Sequence, residues 1–258
     1  MAMLRQWGPQ NWWPAQSRFE VIVGAYLTQN TNWLNVERAL ANLRKARAMS
    51  PRALREMPLD RLQELIRPSG YFRQKAIKLK IFMEYLDREY AGSLYGMFAQ
   101  PTSQLRSELL ALHGVGPETA DSILLYAGNH PVFVVDAYTR RILERHGLIT
   151  PATKYEEIRA MMELAVNSAK PESLAMAAEG DVAPGTPINV PEPRHPPSRM
   201  SRMSRTALAQ HYNELHALIV RVGNQLCRGL PRCESCPLQR FLSSPVKQQT
   251  STVKNRSK

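Results

Sequence analysis

The sequence is poor in cysteine, in acidic residues and in long apolar runs, and each shortage removes a class of protein. Three cysteines occur in 258 residues, all between Cys227 and Cys236. That argues against a disulfide scaffold and for a metal or cluster site in that segment. No apolar run approaches the ~20 residues of a membrane-spanning helix, and the N-terminus lacks the pattern of a secretory signal. A soluble protein without membrane contact is therefore expected, in a bacterial cytoplasm. Acidic residues number 22 against 34 Lys and Arg, a formal net charge of +12. A solvated surface is the ordinary account of surplus charge, but an excess of this size, spread along the chain, favours a polyanion partner. At this length the chain can bury a sizeable core as one large domain or two small ones.

What the chain does contain centres on Leu109 to His146, LLALHGVGPETADSILLYAGNHPVFVVDAYTRRILERH. It reads as a helix ending at Leu112, a tight Gly114-Val115-Gly116 turn, a helix opening at Pro117, a loop, and a helix after Asp136. Glycine permits the backbone angles of such a turn, and proline suits a first helical turn, where its missing N–H is no loss. Free backbone N–H groups converging beside a helix N-terminus attract a phosphate. Asp136 directly follows the apolar run Val132-Phe133-Val134-Val135. Two readings are open for it: an N-cap, which stabilises a helix by ~1 kcal/mol, or a catalytic carboxylate held by that same helix end.

The turn, the acid and the eighteen positions from Glu118 to Asp136 together closely resemble the helix-hairpin-helix and aspartate signature of the endonuclease III superfamily of DNA glycosylases. The resemblance implies an all-α, two-lobed fold with a DNA-binding groove between the lobes. A helical barrel lobe would run over 17–130, and a second lobe would combine 1–16, 131–168 and 206–245. Residues 169–205, rich in Ala, Pro, Gly and Ser, cannot bury enough apolar area to order themselves and read as a flexible insertion. A disordered basic tail would occupy 246–258. The resemblance covers about Trp12 to Leu238 apart from the insertion.

Roles follow from the resemblance. Asp136 becomes the catalytic carboxylate, and His113, Gly114, Val115 and Gly116 hold a phosphate with Arg140 beside them. Gln29, at the polar break after the apolar helix Phe19 to Leu27, would fill the gap left by an extruded base; its structural alternative is a helix-terminal glutamine bonding the backbone. Tyr71 would press on the partner strand, or else cap the core at its turn. Lys75, Lys78 and Lys80 would lie near phosphates, or else form a solvated face. The NWWP segment resembles the branch that includes a bacterial 3-methyladenine glycosylase, whose base pocket maps onto Trp12, Trp13, Pro14 and Trp33. Tryptophan pairs are otherwise more often core anchors.

Electron-rich aromatic faces bind the cationic ring of an alkylated purine. Such a base is a good leaving group, so one carboxylate suffices to stabilise positive charge on the sugar and orient the attacking water. Members that also cut the strand carry a lysine where Glu118 stands, so a monofunctional glycosylase that leaves an abasic site is expected. Glu118 itself reads as an acid favoured in a first helical turn, with a second catalytic acid as the alternative. Cys227, Cys233 and Cys236 resemble three of the four ligands of a [4Fe–4S] loop. Their first gap is one residue short, and Leu242 or Ser243 stands where a fourth cysteine would be. A cluster with another fourth ligand, an incomplete cluster, zinc, and a loop that has lost its metal all stay open. The expected partner is double-stranded DNA carrying a damaged base, bound by a monomer at the nucleoid. The rivals are an oxidised-pyrimidine glycosylase with lyase activity and a non-catalytic DNA-binding module.

Overall fold

A computed structural model of the chain describes residues 2–168 and 196–242, and every regular element among them is helical. A short α1 (Ala2–Trp7) precedes the tryptophan segment, where no helix was expected. Ser17 then caps α2 (Arg18–Thr28), accepting from Glu20 N–H, and Asn32 caps α3 (Trp33–Lys45) in the same way. Helices α4 (Pro51–Glu56), α5 (Leu59–Ile66) and α6 (Phe72–Tyr90) follow, the last entered through a turn in which Gly70 and Tyr71 take positive φ. Helices α7 (Leu94–Phe98) and α8 (Thr102–Ala111) lead to the glycine turn, and Pro117 opens α9 (Pro117–Ser122). The predicted boundaries of that hairpin hold. Beyond Ser122 the helix widens into a π-turn, Ile123–Gly128.

The centre of the core is α2. Phe19 to Leu27 are all buried, and Val21, Ile22, Val23 and Leu27 lose all exposure, each worth roughly 1.5–3 kcal/mol of transfer from water. A helix apolar on every side must be enclosed, and α2 packs against α3, α6 and the π-turn. The remaining elements are α10 (Ala137–Arg145), α11 (Tyr155–Asn167) and α12 (Ala207–Gln225). Both α10 and α1 lie on α12. No helix among the described residues is long and apolar enough to cross a membrane.

The expected flexible insertion is corrected at its C-terminal end. Ser198 Oγ donates to Trp13 O (2.7 Å) and Met200 N–H to Ala15 O (3.1 Å), and both residues are buried. Low apolar content does not prevent order where a neighbouring backbone supplies partners. Residues 169–195 and the tail at 246–258 lie outside the described residues.

Candidate active site

Local rules carry Asp136 to a cleft. The extended run before it is buried, and Phe133 N–H donates to Glu163 Oε1 (2.9 Å) while Val135 N–H donates to the Tyr155 hydroxyl (3.2 Å). Asp136 is then the N-cap of α10: its Oδ1 accepts from Thr139 N–H (2.7 Å) and Thr139 Oγ1 (2.9 Å). The cap uses one oxygen and leaves the other for the cleft. Oδ2 lies 3.6 Å from His216 Nε2 of α12, beyond hydrogen-bond length. On its other side His216 Nδ1 is bonded to the Tyr126 hydroxyl, and the ring stands edge-on to Phe133.

The two carboxyls of the cleft diverge in acidity. Burial alone would raise the Asp136 pKa, but the His216 imidazole and the Thr139 donors outweigh it and hold the group below its ordinary value. Glu118, in the first turn of α9, goes the other way. Burial first, then the Asp136 charge, push it up to about 7, against a pull from His216.

The cleft encloses about 920 Å³ and is lined by Trp12, Trp13, Trp33, Glu118, Asp136 and His216, with Gln29 and Lys78 at the hairpin side. Trp12, Trp13 and Trp33 meet pairwise, with ring centroids 5.2, 5.4 and 5.2 Å apart. Trp13 is also a core anchor: it is buried, it lies 5.1 Å from the Tyr126 ring, and a Cβ on Gly24 would come within 3.2 Å of it. Pro14 does not line the cleft, which corrects its expected place, because the inward positions on either side of it go to Trp13 and Ala15.

At the hairpin, Val115 N–H donates to Leu112 O (3.1 Å) and Gly114 has φ +78°. A side chain on Gly114 would collide with Lys78, whose Cε would be 2.2 Å from its Cβ. His113 and Gly116 are exposed, Val115 is buried, and no side chain caps α9 at Gly116. Gln29 is committed here to protein partners. Its Nε2 donates to Gly114 O and Thr119 Oγ1 (3.0 Å each), and its Oε1 accepts from Lys78 Nζ (2.8 Å). Arg140 is half-buried, donating to Thr153 O at 2.7 Å. Tyr71 is 67% exposed, so it does not cap the core.

Lys75 is the clear correction. Its amine is buried and donates to Leu27 O (2.8 Å) and Ser69 O (2.7 Å), closing the C-terminus of α2 rather than meeting phosphate. Burial first, then Lys78, lower its pKa to about 8. Lys80 likewise donates to Leu54 O (2.8 Å), Arg55 O (2.9 Å) and Met57 O (2.5 Å) at the end of α4. Of the three lysines, Lys78 alone lines the cleft.

Three site residues were missed in the sequence. His216, Tyr126 and Tyr155 sit in ordinary amphipathic patterns, and no local spacing ties them to Asp136 or Glu118.

The cysteine loop supplies three thiols. Cys227 is buried with Arg145 Nη1 3.2 Å from its Sγ, and burial, followed by nearby thiols, raises Cys236. A [4Fe–4S] cluster takes four thiolates; the chain has three. Among the described residues no group of three or more His, Cys, Asp or Glu is arranged to hold a metal. Ser243 lies outside the described residues.

The chain matches known proteins over most of its length. Residues 23–168 match the family described as HhH-GPD superfamily base excision DNA repair protein. A Methanocaldococcus jannaschii protein that carries the name "Putative DNA repair glycosylase MJ1434" is 37% identical over 94% of this chain and 93% of its own. Endonuclease III of Thermotoga maritima is 32% identical over 57% of this chain and 64% of its own. Among solved structures, the 3-methyladenine DNA glycosylase MagIII of H. pylori, bound to 1,N6-ethenoadenine, superposes with a TM-score of 0.67 at 29% identity, covering 86% of this chain and 92% of that one.

Proposed function

The chain belongs to the HhH-GPD superfamily of base excision DNA repair proteins and is an endonuclease III-like DNA glycosylase, and from that premise we propose that it hydrolyses the N-glycosidic bond of alkylated purines and leaves the strand uncut. The observation that carries this reading is one cleft lined both by three tryptophans and by a carboxylate whose pKa is held below its ordinary value. An alkylpurine extruded from the duplex stacks on Trp12 and Trp33, whose faces attract its positive charge. Asp136 Oδ2 then stabilises the sugar as the bond breaks and takes the proton of the attacking water. The hairpin from His113 to Gly116 grips a phosphate, Arg140 adds charge beside it, and Gln29 and Tyr71 occupy the space vacated in the stack. The groove lies between lobes divided as the resemblance implies. With three thiols available, no step is routed through a cluster.

The name of the H. pylori relative, a 3-methyladenine glycosylase, supports the choice of substrate, as does Glu118 where strand-cleaving members carry an amine. One observation favours the lyase reading: Lys78 places an amine at the cleft. That amine is bonded to Gln29. Single-turnover release from duplexes carrying 3-methyladenine, 7-methylguanine or thymine glycol, scored with and without alkali, tests the proposal. Methylpurine release with breaks only after alkali is expected. Cleavage at thymine glycol without alkali, with a borohydride-trapped adduct lost in Lys78→Ala, would overturn it.

A further inference from the structure

Glu118 lines the same cleft as the tryptophans, on the first helical turn after the hairpin, and is exposed there. Its side chain is open to the cleft, and it has no hydrogen bond or ion pair among the described residues. This sets it apart from Asp121, one turn further along α9, which is bonded to Arg106 and Tyr155. An acid committed to helix stability or to a salt bridge would be tied; Glu118 is an uncommitted carboxyl on the lining of the cleft.

We propose that Glu118 is a catalytic acid that donates its proton to the leaving base, so that the same cleft also releases neutral purine lesions. The inference rests on the alkylpurine reading above and extends its substrate class. A cationic alkylpurine departs as a neutral molecule and needs no proton. A neutral purine would depart as an anion unless one of its ring nitrogens gains a proton as the bond breaks. In the balanced step, the Glu118 proton moves to a ring nitrogen of the base, and the C1′–N9 electron pair leaves with the base. Water adds to C1′, and its proton passes to Asp136. Solvent afterwards removes that proton and restores the one on Glu118.

The surroundings keep the two carboxyls in different states. Glu118 faces the Asp136 carboxylate at the start of α10, His216 on α12 and Tyr155 on α11, with Lys78 and Arg221 elsewhere on the lining. Burial and the Asp136 charge push Glu118 up to about 7, while Asp136 stays ionised. Pairs of carboxyls driven apart in this way divide the roles of acid and base.

The test compares single-turnover release of two neutral purines, hypoxanthine and 1,N6-ethenoadenine, with release of 7-methylguanine by the same full-length protein. In wild type, the ratio of neutral to cationic release should fall as pH rises through about 7, because only the protonated acid serves the neutral bases. In Glu118→Gln that ratio should drop by about a hundredfold or more, whatever change is common to both substrates. Release of 7-methylguanine without either neutral base overturns the inference and leaves the alkylpurine reading standing. A ratio altered less than threefold by Glu118→Gln also overturns it, as do coincident pH profiles, which need no variant to fold. Release of none of the three overturns both.

Discussion

Two aspartates, Asp121 on α9 and Asp136 at the start of α10, have surroundings that separate a structural carboxylate from one left open to a cleft. Asp121 has no exposure, and its oxygens are used up by Arg106 (2.6 and 3.1 Å) and the Tyr155 hydroxyl (2.9 Å). Asp136 spends Oδ1 on the cap of α10 and keeps Oδ2 for a cleft, with an imidazole 3.6 Å away. Burial raises the pKa of Asp121 in spite of its guanidinium, whereas Asp136 ends below its ordinary value. Neither burial nor a charged partner therefore marks a working carboxylate. A lone pair left over at a cavity does.

Removing each charge sharpens the contrast. Asp121→Asn strands the Arg106 guanidinium in a half-buried site shared with Glu156 and loosens α8, α9 and α11 together. We expect a loss of about 3–5 kcal/mol of stability, the cost of breaking a buried pair, read by urea unfolding. Base release per folded molecule should survive at low temperature. Asp136→Asn should do the reverse. Asparagine also caps helices, so unfolding should shift little, while base release falls about 10²–10³-fold and DNA affinity stays. If Asp121→Asn abolished turnover in the folded protein, or Asp136→Asn merely unfolded it, the comparison would fail.

His216 is the next place to press. Its imidazole is one of the groups that keep Asp136 ionised, as Arg106 does for Asp121, but it stands beside the oxygen that faces the cleft. In the proposed mechanism the carboxylate works deprotonated, so a group that lowers its pKa extends activity to lower pH. His216→Phe keeps a ring beside Phe133 and removes both nitrogens. The acid limb of the rate against pH should move toward neutrality, and His216→Gln, which retains an N–H, should return part of the shift. A purely structural role would lower the rate equally at every pH.

What could be read in the sequence was local. The Gly114 turn, Pro117 and the Asp136 cap were legible because each depends on neighbours within four residues. His216 was not: it lies eighty positions after Asp136 on a helix whose pattern says only that one face is buried. Glu118 was visible as a first-turn acid, but that Asp136 is its charged neighbour follows from the tertiary fold and not from its own turn. Ser198 and Met200 sit in a stretch whose composition argues for disorder, and their order comes from backbone partners at Trp13 and Ala15.

Lys75 and Lys78 repeat the aspartate contrast with the opposite charge and the smallest expected effect. They lie one turn apart on α6, so helical periodicity puts them on nearly the same face. Packing separates them: the Lys75 amine is enclosed by the carbonyls of Leu27 and Ser69, while Lys78 reaches the hairpin and Gln29. A lysine that meets phosphate contributes about one unit to the dependence of log affinity on log salt. Lys78→Ala should therefore weaken DNA binding at low salt and flatten that slope by about one. Lys75→Met should leave the slope unchanged and instead cost about 1–3 kcal/mol of stability, since two buried carbonyls lose their donor. Titrating affinity against salt for both variants separates the roles, and a slope that changed for Lys75 rather than Lys78 would mean that the amine leaves its carbonyls when DNA binds.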